Sequence, residues 1–150
     1  MVDWLTIGLG IYGGLITTID IIYIFYQNLR KIKVSVNASI IGSPGYFHDA
    51  LSISFSNKGK RQVQIDGFGF ILPNKRILSI LRPLIPFSFP VILPEGRGYS
   101  VYGDIRGMAS AMRDEGFSDI IKIRGFVRDA TSKKYISKKI KFNINQWIEH

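Results

Sequence analysis

An uninterrupted apolar run near the N-terminus constrains this chain more than any other feature of its sequence. The run from Leu5 to Tyr26 reads LTIGLGIYGGLITTIDIIYIFY and contains one charged residue, Asp20. As a helix rising about 1.5 Å per residue it extends about 33 Å, enough for a hydrocarbon core of about 30 Å. Trp4 stands at its start and Tyr26 at its end, where amphipathic rings favour the membrane interface. The sequence therefore predicts a transmembrane anchor over residues 1–28.

The flanks of the apolar run set its expected orientation. Arg30, Lys31 and Lys33 follow it directly, whereas the preceding flank offers only Asp3 and the terminal amine. Because cations concentrate on the cytoplasmic side, we expect an inner-membrane protein that crosses once, with its N-terminus outside and a basic juxtamembrane neck at residues 29–33. A cleaved signal peptide would instead have a basic start, a shorter apolar stretch and a small-residue cleavage site, and this segment has none of these.

One face of the predicted helix collects small and polar side chains. Spacings of four, three, four and three residues are typical of a helix-helix seam, and a G-x-x-x-G pair lets two backbones approach closely in lipid. An aspartate is costly against hydrocarbon, so it should face a partner helix, a backbone donor or water. The alternative is that glycines are common in membrane helices and the aspartate snorkels. The predicted packing face, toward a second copy or another subunit, comprises Thr6, Gly10, Gly13, Gly14, Thr17 and Asp20.

Beyond the neck the hydrophobic period changes from that of a helix to two. Residues 51–55 alternate apolar side chains with serine, and similar alternation recurs in later segments between turns. The alternation changes phase at Gly67, which predicts a β-bulge. One amphipathic helix is expected between an N-cap at Asp104 and a stop at Gly116. About seven short strands and one short helix predict a mainly β fold, an immunoglobulin-like antiparallel β-sandwich over residues 34–150.

Two segments carry a resemblance to known proteins. Residues 51–70 read LSISFSNKGKRQVQIDGFGF, with an Asn-x-Gly turn, and residues 124–142 read RGFVRDATSKKYISKKIKF, a strand pair around a turn containing Asp129. With the lone anchor and the basic neck, they resemble a scattered group of small, uncharacterised bacterial membrane proteins in which one membrane helix carries an immunoglobulin-like sandwich. The resemblance implies the same fold for this chain, and it implies no catalytic residue.

The inventory of reactive side chains is thin. The chain has no cysteine, which excludes thiol catalysis, disulfides and Cys-based zinc sites. His48 and His150 have no carboxylate nearby at metal-ligand spacing, and the acids are dispersed beside turns and at a helix end, where carboxylates bond to backbone amides. No Ser-His-Asp set is approximated. We therefore expect no catalytic residue, no metal and no cofactor.

The net charge of +9 favours an anionic partner, and the last two strands carry a basic face. If these strands form a hairpin over residues 129–134, Lys122 faces Lys141 and Arg124 faces Lys139. Like charges opposed across a ladder repel, which predicts an anion-binding site for lipid, an acidic protein or a nucleotide. The few aromatic residues among these cations argue against sequence-specific nucleic acid. The alternative is a solvated edge strand whose lysines resist aggregation.

Two functions follow from this pattern, and the sequence leaves both open. The first is a non-enzymatic subunit of a membrane assembly, in which the anchor packs against other helices and the β domain docks an anionic partner. The second is a membrane effector of a bacterial defence system, in which the domain senses an anionic nucleotide and the helix oligomerises to permeabilise the membrane. A subunit should co-purify with a different protein, whereas an effector should form homo-oligomers that leak only with ligand.

Overall fold

The computed structural model describes residues 3–80 and 83–148. Its first element is a long, exposed helix. This helix, α1 (Trp4–Asn28), spans 25 residues, about 37 Å at about 1.5 Å per residue. The Asp3 side chain caps it by accepting a hydrogen bond of 3.3 Å from the Leu5 N–H. Every side chain from Trp4 to Tyr26 is exposed. The helix is long and apolar enough to cross a membrane, a test that a signal sequence also passes.

The rest of the described chain is mainly antiparallel β-structure. Its nine strands, in chain order, are β1 (Ile32–Ser43), β2 (Tyr46–Asn57), β3 (Val63–Ile71), β4 (Ile77–Leu78), β5 (Val91–Leu93), β6 (Gly98–Asp104), β7 (Ile120–Asp129), β8 (Lys134–Ile136) and β9 (Ile140–Asn143). In the first sheet β2 lies between β1 and β6. In the second, β4 and β5 pair with β3, β8 and β9 pair with β7, and β3 pairs with β7. The predicted bulge is confirmed, because the register of β3 on β7 shifts between Ile65 and Gly67.

The two sheets share one hydrophobic core. The first sheet contributes Leu51 and Phe55 to it, and the second contributes Phe70 and Val127. These side chains come from alternate positions of their strands, as the period of two in the sequence requires. The mainly β, antiparallel fold expected from that period is therefore confirmed.

The helix that follows β6 agrees with its sequence signals. This helix, α2 (Ile105–Asp114), begins after Asp104, whose carboxylate accepts hydrogen bonds of 3.3 Å from two backbone amides of the first turn. Its buried side chains include Met108 and Met112, which pack into the core. The chain leaves the helix through Gly116, whose φ of 93° suits glycine best.

A further short helix corrects the expectation of a single one after the anchor. α3 (Ile144–Ile148) begins where the alternating pattern predicts that the last strand continues. The Ile144 N–H donates to the Asp119 carbonyl (2.9 Å), and the Asn145 side chain donates to the Asp119 carboxylate (2.6 Å). These bonds turn the chain into the helix, and they leave Ile144 fully buried. An apolar residue at this position satisfies a helix and a strand equally well.

The end of the domain that joins α1 is formed by three loops and is named here the neck end. It comprises residues 29–31 and the loops 57–62, 94–97 and 129–133. The first strand, β1, begins at Ile32, within the predicted neck at residues 29–33. The opposite end carries the loop between β3 and β4, together with α2 and α3. Since β7 runs between the two ends, Lys122 lies seven residues from Asp129, about 23 Å at about 3.3 Å per residue.

Candidate anion-binding groove

The basic strands predicted from the sequence meet partly as expected. Lys122 on β7 faces Lys141 on β9, so this pairing is confirmed. The pairing of Arg124 with Lys139 is wrong, because β7 exchanges β9 for β8 between Ile123 and Phe126. The partner strand is therefore not continuous, because residues 137–139 form an irregular connection between β8 and β9.

Ser137 explains why the ladder breaks at this point. Its backbone N–H donates to the Gly125 carbonyl (2.8 Å), and its hydroxyl oxygen accepts from the Gly125 N–H (2.8 Å). The same hydroxyl donates to the carbonyl of Lys138 (2.9 Å). Ser137 therefore forms hydrogen bonds with both the amide and the carbonyl of Gly125. The chain leaves the ladder at this residue and rejoins it in β9. This break leaves Lys139 off the ladder.

Lys139 and Arg124 nevertheless line one groove on the second sheet. The groove has a volume of about 820 Å³, within the range typical of small-molecule sites. Its apolar wall comes from the β3–β4 connection, the segment after α2, and the strands β7 and β8, and includes Ile71, Leu72, Ile77, Phe117, Ile120 and Ile136. Its cations are Lys75, Lys122, Arg124, Lys134 and Lys139.

The charge of the groove is unbalanced. Among the described residues, its lining includes five cations and no carboxylate. None of the five forms an ion pair with a described residue, since the ion pairs found there join Arg30 to Asp129 and Arg76 to Glu115. Arg124 also carries a buried Nε without a hydrogen-bond partner in the described part of the chain. A buried guanidinium N–H without an acceptor is costly.

Lys141 lies outside the groove lining, although it faces Lys122 across the ladder. Both side chains are exposed. Of the four predicted anion-binding residues, the groove therefore brings together Lys122, Arg124 and Lys139. It adds Lys134, which the sequence predicts to lie near the basic strands, and Lys75, which sequence reasoning did not include. Lys75 enters because its positive φ of 65° closes the β3–β4 turn, and no periodic pattern marks such a turn residue as part of a site.

The predicted juxtamembrane cations have different roles in the structure. Arg30 does not extend freely toward a membrane, because its guanidinium donates to the Asp129 carboxylate (3.2 Å) and to the Thr131 hydroxyl (2.8 Å). The Lys31 ammonium lies 4.5 Å from the centre of the Tyr26 ring. Lys33 is exposed on β1. Of the three predicted juxtamembrane cations, Arg30 therefore has a structural role, whereas Lys31 and Lys33 are exposed.

The predicted packing face lies on the exposed helix α1. Each of its glycines leaves open space, since a Cβ at Gly10, Gly13 or Gly14 would meet no atom within 4 Å. Thr17 donates its hydroxyl to the Gly13 carbonyl (2.9 Å), so its own donor is satisfied within the helix. The face is continuous along α1, and its packing against another helix stays a prediction.

The described residues hold no group of three or more histidine, cysteine, aspartate or glutamate side chains that could bind a metal ion. His48 lies in β2 and is exposed.

Comparisons with known proteins do not identify a family for this chain. No protein-family model matches the chain, and no curated protein matches it. The putative ApaA protein from Bordetella pertussis is 14% identical with a TM-score of 0.34, over 75% of this chain and 91% of that one. A Northeast Structural Genomics Consortium target, SoR45, is 11% identical with a TM-score of 0.34, over 77% of this chain and 86% of that one. Similarity at this level carries no argument about the present chain.

Proposed function

We propose that this chain is a non-enzymatic, single-pass protein of the cytoplasmic membrane whose β domain binds an anionic partner. The observation that carries the proposal is the groove, in whose described lining five cations and no carboxylate accompany an apolar wall. The repulsion among these cations weakens when an anion binds between them. Arg124, one of these cations, also carries a buried Nε without a hydrogen-bond partner in the described part of the chain.

The groove favours a ligand that combines a negative group with an apolar or aromatic body. A phosphate or carboxylate would lie among the cations, and the remainder of the ligand would cover the isoleucines and Phe117. A ligand of this kind is a soluble molecule or a protein segment. A lipid of the anchoring bilayer would have to leave it, because Lys122 lies about 23 Å along β7 from the neck end.

The anchor and the domain have complementary roles in this proposal. The helix holds the protein in an assembly by packing its small-residue face against other membrane helices. The positive-inside tendency places the domain in the cytoplasm. The antiparallel sheets form an immunoglobulin-like sandwich that presents the groove to cytoplasmic partners.

Neutralising two groove cations should weaken the binding of a model ligand. We expect Arg124→Gln with Lys139→Gln to reduce the affinity for 1-naphthyl phosphate about a hundredfold or more, since two lost charge-assisted hydrogen bonds at about 1.5 kcal/mol or more each sum to about 3 kcal/mol, and each 1.4 kcal/mol is about tenfold. The measurement is equilibrium dialysis of full-length protein in an uncharged detergent. Lys141→Gln, next to the groove, is the matched control and should change the affinity by less than about twofold. Because Lys141→Gln removes one charge and the double variant removes two, a control loss of about half the double variant's loss in binding free energy would mean that only net charge matters.

The packing face has an equally direct test in native membranes. Gly10→Ala with Asp20→Leu should reduce crosslinked dimers and larger species, because the added methyl keeps two backbones apart and the leucine removes a polar contact. Gly8→Ala is the matched control, since residue 8 lies about 200° around the helix from residue 6. Unchanged crosslinking of the double variant would contradict the packing face.

The effector alternative uses the same two parts and differs in its outcome. Mild-detergent purification of the full-length protein, with mass determination of what co-elutes, separates the two. A different protein at fixed stoichiometry supports the subunit. A homo-oligomer that makes vesicles leak only after an anionic nucleotide is added supports the effector, and the groove is then its sensor.

A further inference from the structure

The neck end of the domain brings together cations that are distant in sequence. Its exposed cations come from four separate segments, and are Lys31, Lys58, Lys60, Arg61, Arg97 and Lys133. Within the same described segments, the one exposed carboxylate is Glu95, because Asp129 is buried and bound to Arg30. Six exposed cations and one exposed carboxylate give this surface a net charge of +5. We name it the cationic collar.

Asn57 holds two of the collar loops together. It is fully buried, and its side-chain nitrogen donates to the carbonyls of Arg61 (2.7 Å) and Leu93 (2.9 Å). Its side-chain oxygen accepts from the Gly59 N–H (2.9 Å). Its backbone N–H donates to the Arg97 carbonyl (2.8 Å). The cations of loops 57–62 and 94–97 therefore have fixed backbone positions.

The neck is attached to these loops and does not form a free tether. The amides of Lys58 and Gly59 donate to the Lys31 carbonyl, at 2.7 and 3.3 Å. A Cβ at Gly59 would lie 2.8 Å from the Leu29 carbonyl oxygen, so the loop passes against the neck backbone. Arg30 makes a second attachment, to the carboxylate of Asp129 on the opposite loop. The collar is thereby held beside the last turn of α1.

We infer that the cationic collar binds anionic phospholipid headgroups of the bilayer that α1 crosses. The inference rests on the proposed function, since a spanning helix places its last turn, and hence the collar, at the headgroup layer. The Tyr26 ring beside Lys31 marks that level, because tyrosine favours the membrane interface. Each lysine or arginine near an anionic leaflet strengthens attraction about fivefold. The bound collar fixes the domain upright, with the groove directed away from the bilayer.

The test uses the full-length protein in nanodiscs, with one reporter on the collar. Because the chain has no cysteine, Gln62→Cys gives a single labelling site on the exposed loop 57–62. A fluorophore there is quenched by lipids that carry a nitroxide on the headgroup. We expect quenching in discs with anionic lipid to exceed that in neutral discs about threefold, and to fall to the neutral level near 1 M salt, where the Debye length is about 3 Å.

Two variants distinguish lipid binding by the cationic collar from a general effect of the protein's net charge. Lys60→Gln with Arg61→Gln and Arg97→Gln should abolish the difference between anionic and neutral discs. Arg124→Gln with Lys139→Gln removes two charges from the groove and should leave the difference intact. Equal quenching in anionic and neutral discs would overturn the inference, and so would an unchanged difference between the two kinds of disc in the variant that lacks the three collar cations. If α1 instead fails to resist alkaline extraction from native membranes, the proposed function fails, and that result is distinct from both.

Discussion

Replacing Asp129 by asparagine should lower the free energy of unfolding by about 3 kcal/mol, because a buried ionic acceptor would lose its donors. One carboxylate oxygen accepts from the Thr131 amide, the Thr131 hydroxyl and the Lys133 amide, at 2.7–3.0 Å. The other accepts from the Tyr135 hydroxyl (3.0 Å) and from Arg30 (3.2 Å). An amide can reproduce only part of this set, since its nitrogen donates and would face other donors.

The same carboxylate makes stability depend on pH in the acid range. Burial raises the pKa of Asp129, but the hydrogen bonds from Thr131, Lys133 and Tyr135 outweigh it and lower the pKa from 3.8 to about 2. A lowered pKa in the folded state stabilises above the unfolded value, so the contribution is complete above pH 3.8 and is lost as the pH falls toward 2. The shift corresponds to about 2 kcal/mol.

Tyr135 adds an alkaline limit to the same cluster. Burial and the hydrogen bond to Asp129 raise the pKa of Tyr135 from 10.0 to about 12. A raised pKa in the folded state stabilises below the unfolded value, so this contribution is complete below pH 10 and is lost as the pH rises through 12. Tyr135→Phe should therefore remove the alkaline decline and leave most of the acid decline in place.

Urea unfolding of the full-length protein in detergent measures both declines. Trp147 in α3 packs against the core, so its fluorescence reports on the domain when Trp4→Phe removes the signal of α1. Asp114→Asn is the control, because this carboxylate is exposed at the end of α2. If Asp129→Asn and Asp114→Asn unfold at the same urea concentration, the cluster around Asp129 does not stabilise the domain.

The elements that the sequence predicts correctly are those with local signals. The apolar run, the Asp104 cap and the phase change at Gly67 each depend on a few adjacent residues, so the structure agrees with them. The pairing of Lys122 with Lys141 also follows from counting along two strands. Such features need no knowledge of distant parts of the chain.

The features that sequence reasoning missed depend on contacts between distant segments. From the sequence alone Arg30 is one more juxtamembrane cation. In the structure it donates to Asp129, which lies ninety-nine residues later in the chain. The partner of Arg124 changes because Ser137 occupies the hydrogen bonds of Gly125. The apolar wall of the groove comes from the β3–β4 connection and the segment after α2, which alternation on β7 cannot indicate. The groove and the collar are both of this kind.

Gly125 gives the second large expected effect, because two sheets meet at its backbone. An added Cβ would collide with Cγ2 of Val36 and would lie 3.5 Å from Ile53, both on the first sheet. Its amide and carbonyl are both bonded to Ser137, so the strand cannot move outward without breaking them. Gly125→Ala should therefore lower the free energy of unfolding by about 3 kcal/mol, the upper part of the range for overpacked cores.

A second substitution distinguishes a clash between sheets from a simple loss of glycine. Val36→Ala removes the methyl groups that the new Cβ meets and alone should cost about 2 kcal/mol. If the clash is the cause, the double variant should lose less than the sum of the two single losses, by about 1 kcal/mol or more. If the two losses of unfolding free energy are additive, the destabilisation by Gly125→Ala comes from the loss of glycine in β7 and not from a clash with Val36.

The same pair of variants connects the core to the groove. Arg124 precedes Gly125 on β7, so a displaced strand moves a groove cation as well. We expect Gly125→Ala to weaken 1-naphthyl phosphate binding about threefold or more, and Val36→Ala added to it to restore most of the affinity. Rescue of stability without rescue of binding would mean that the groove does not depend on the distance between the sheets.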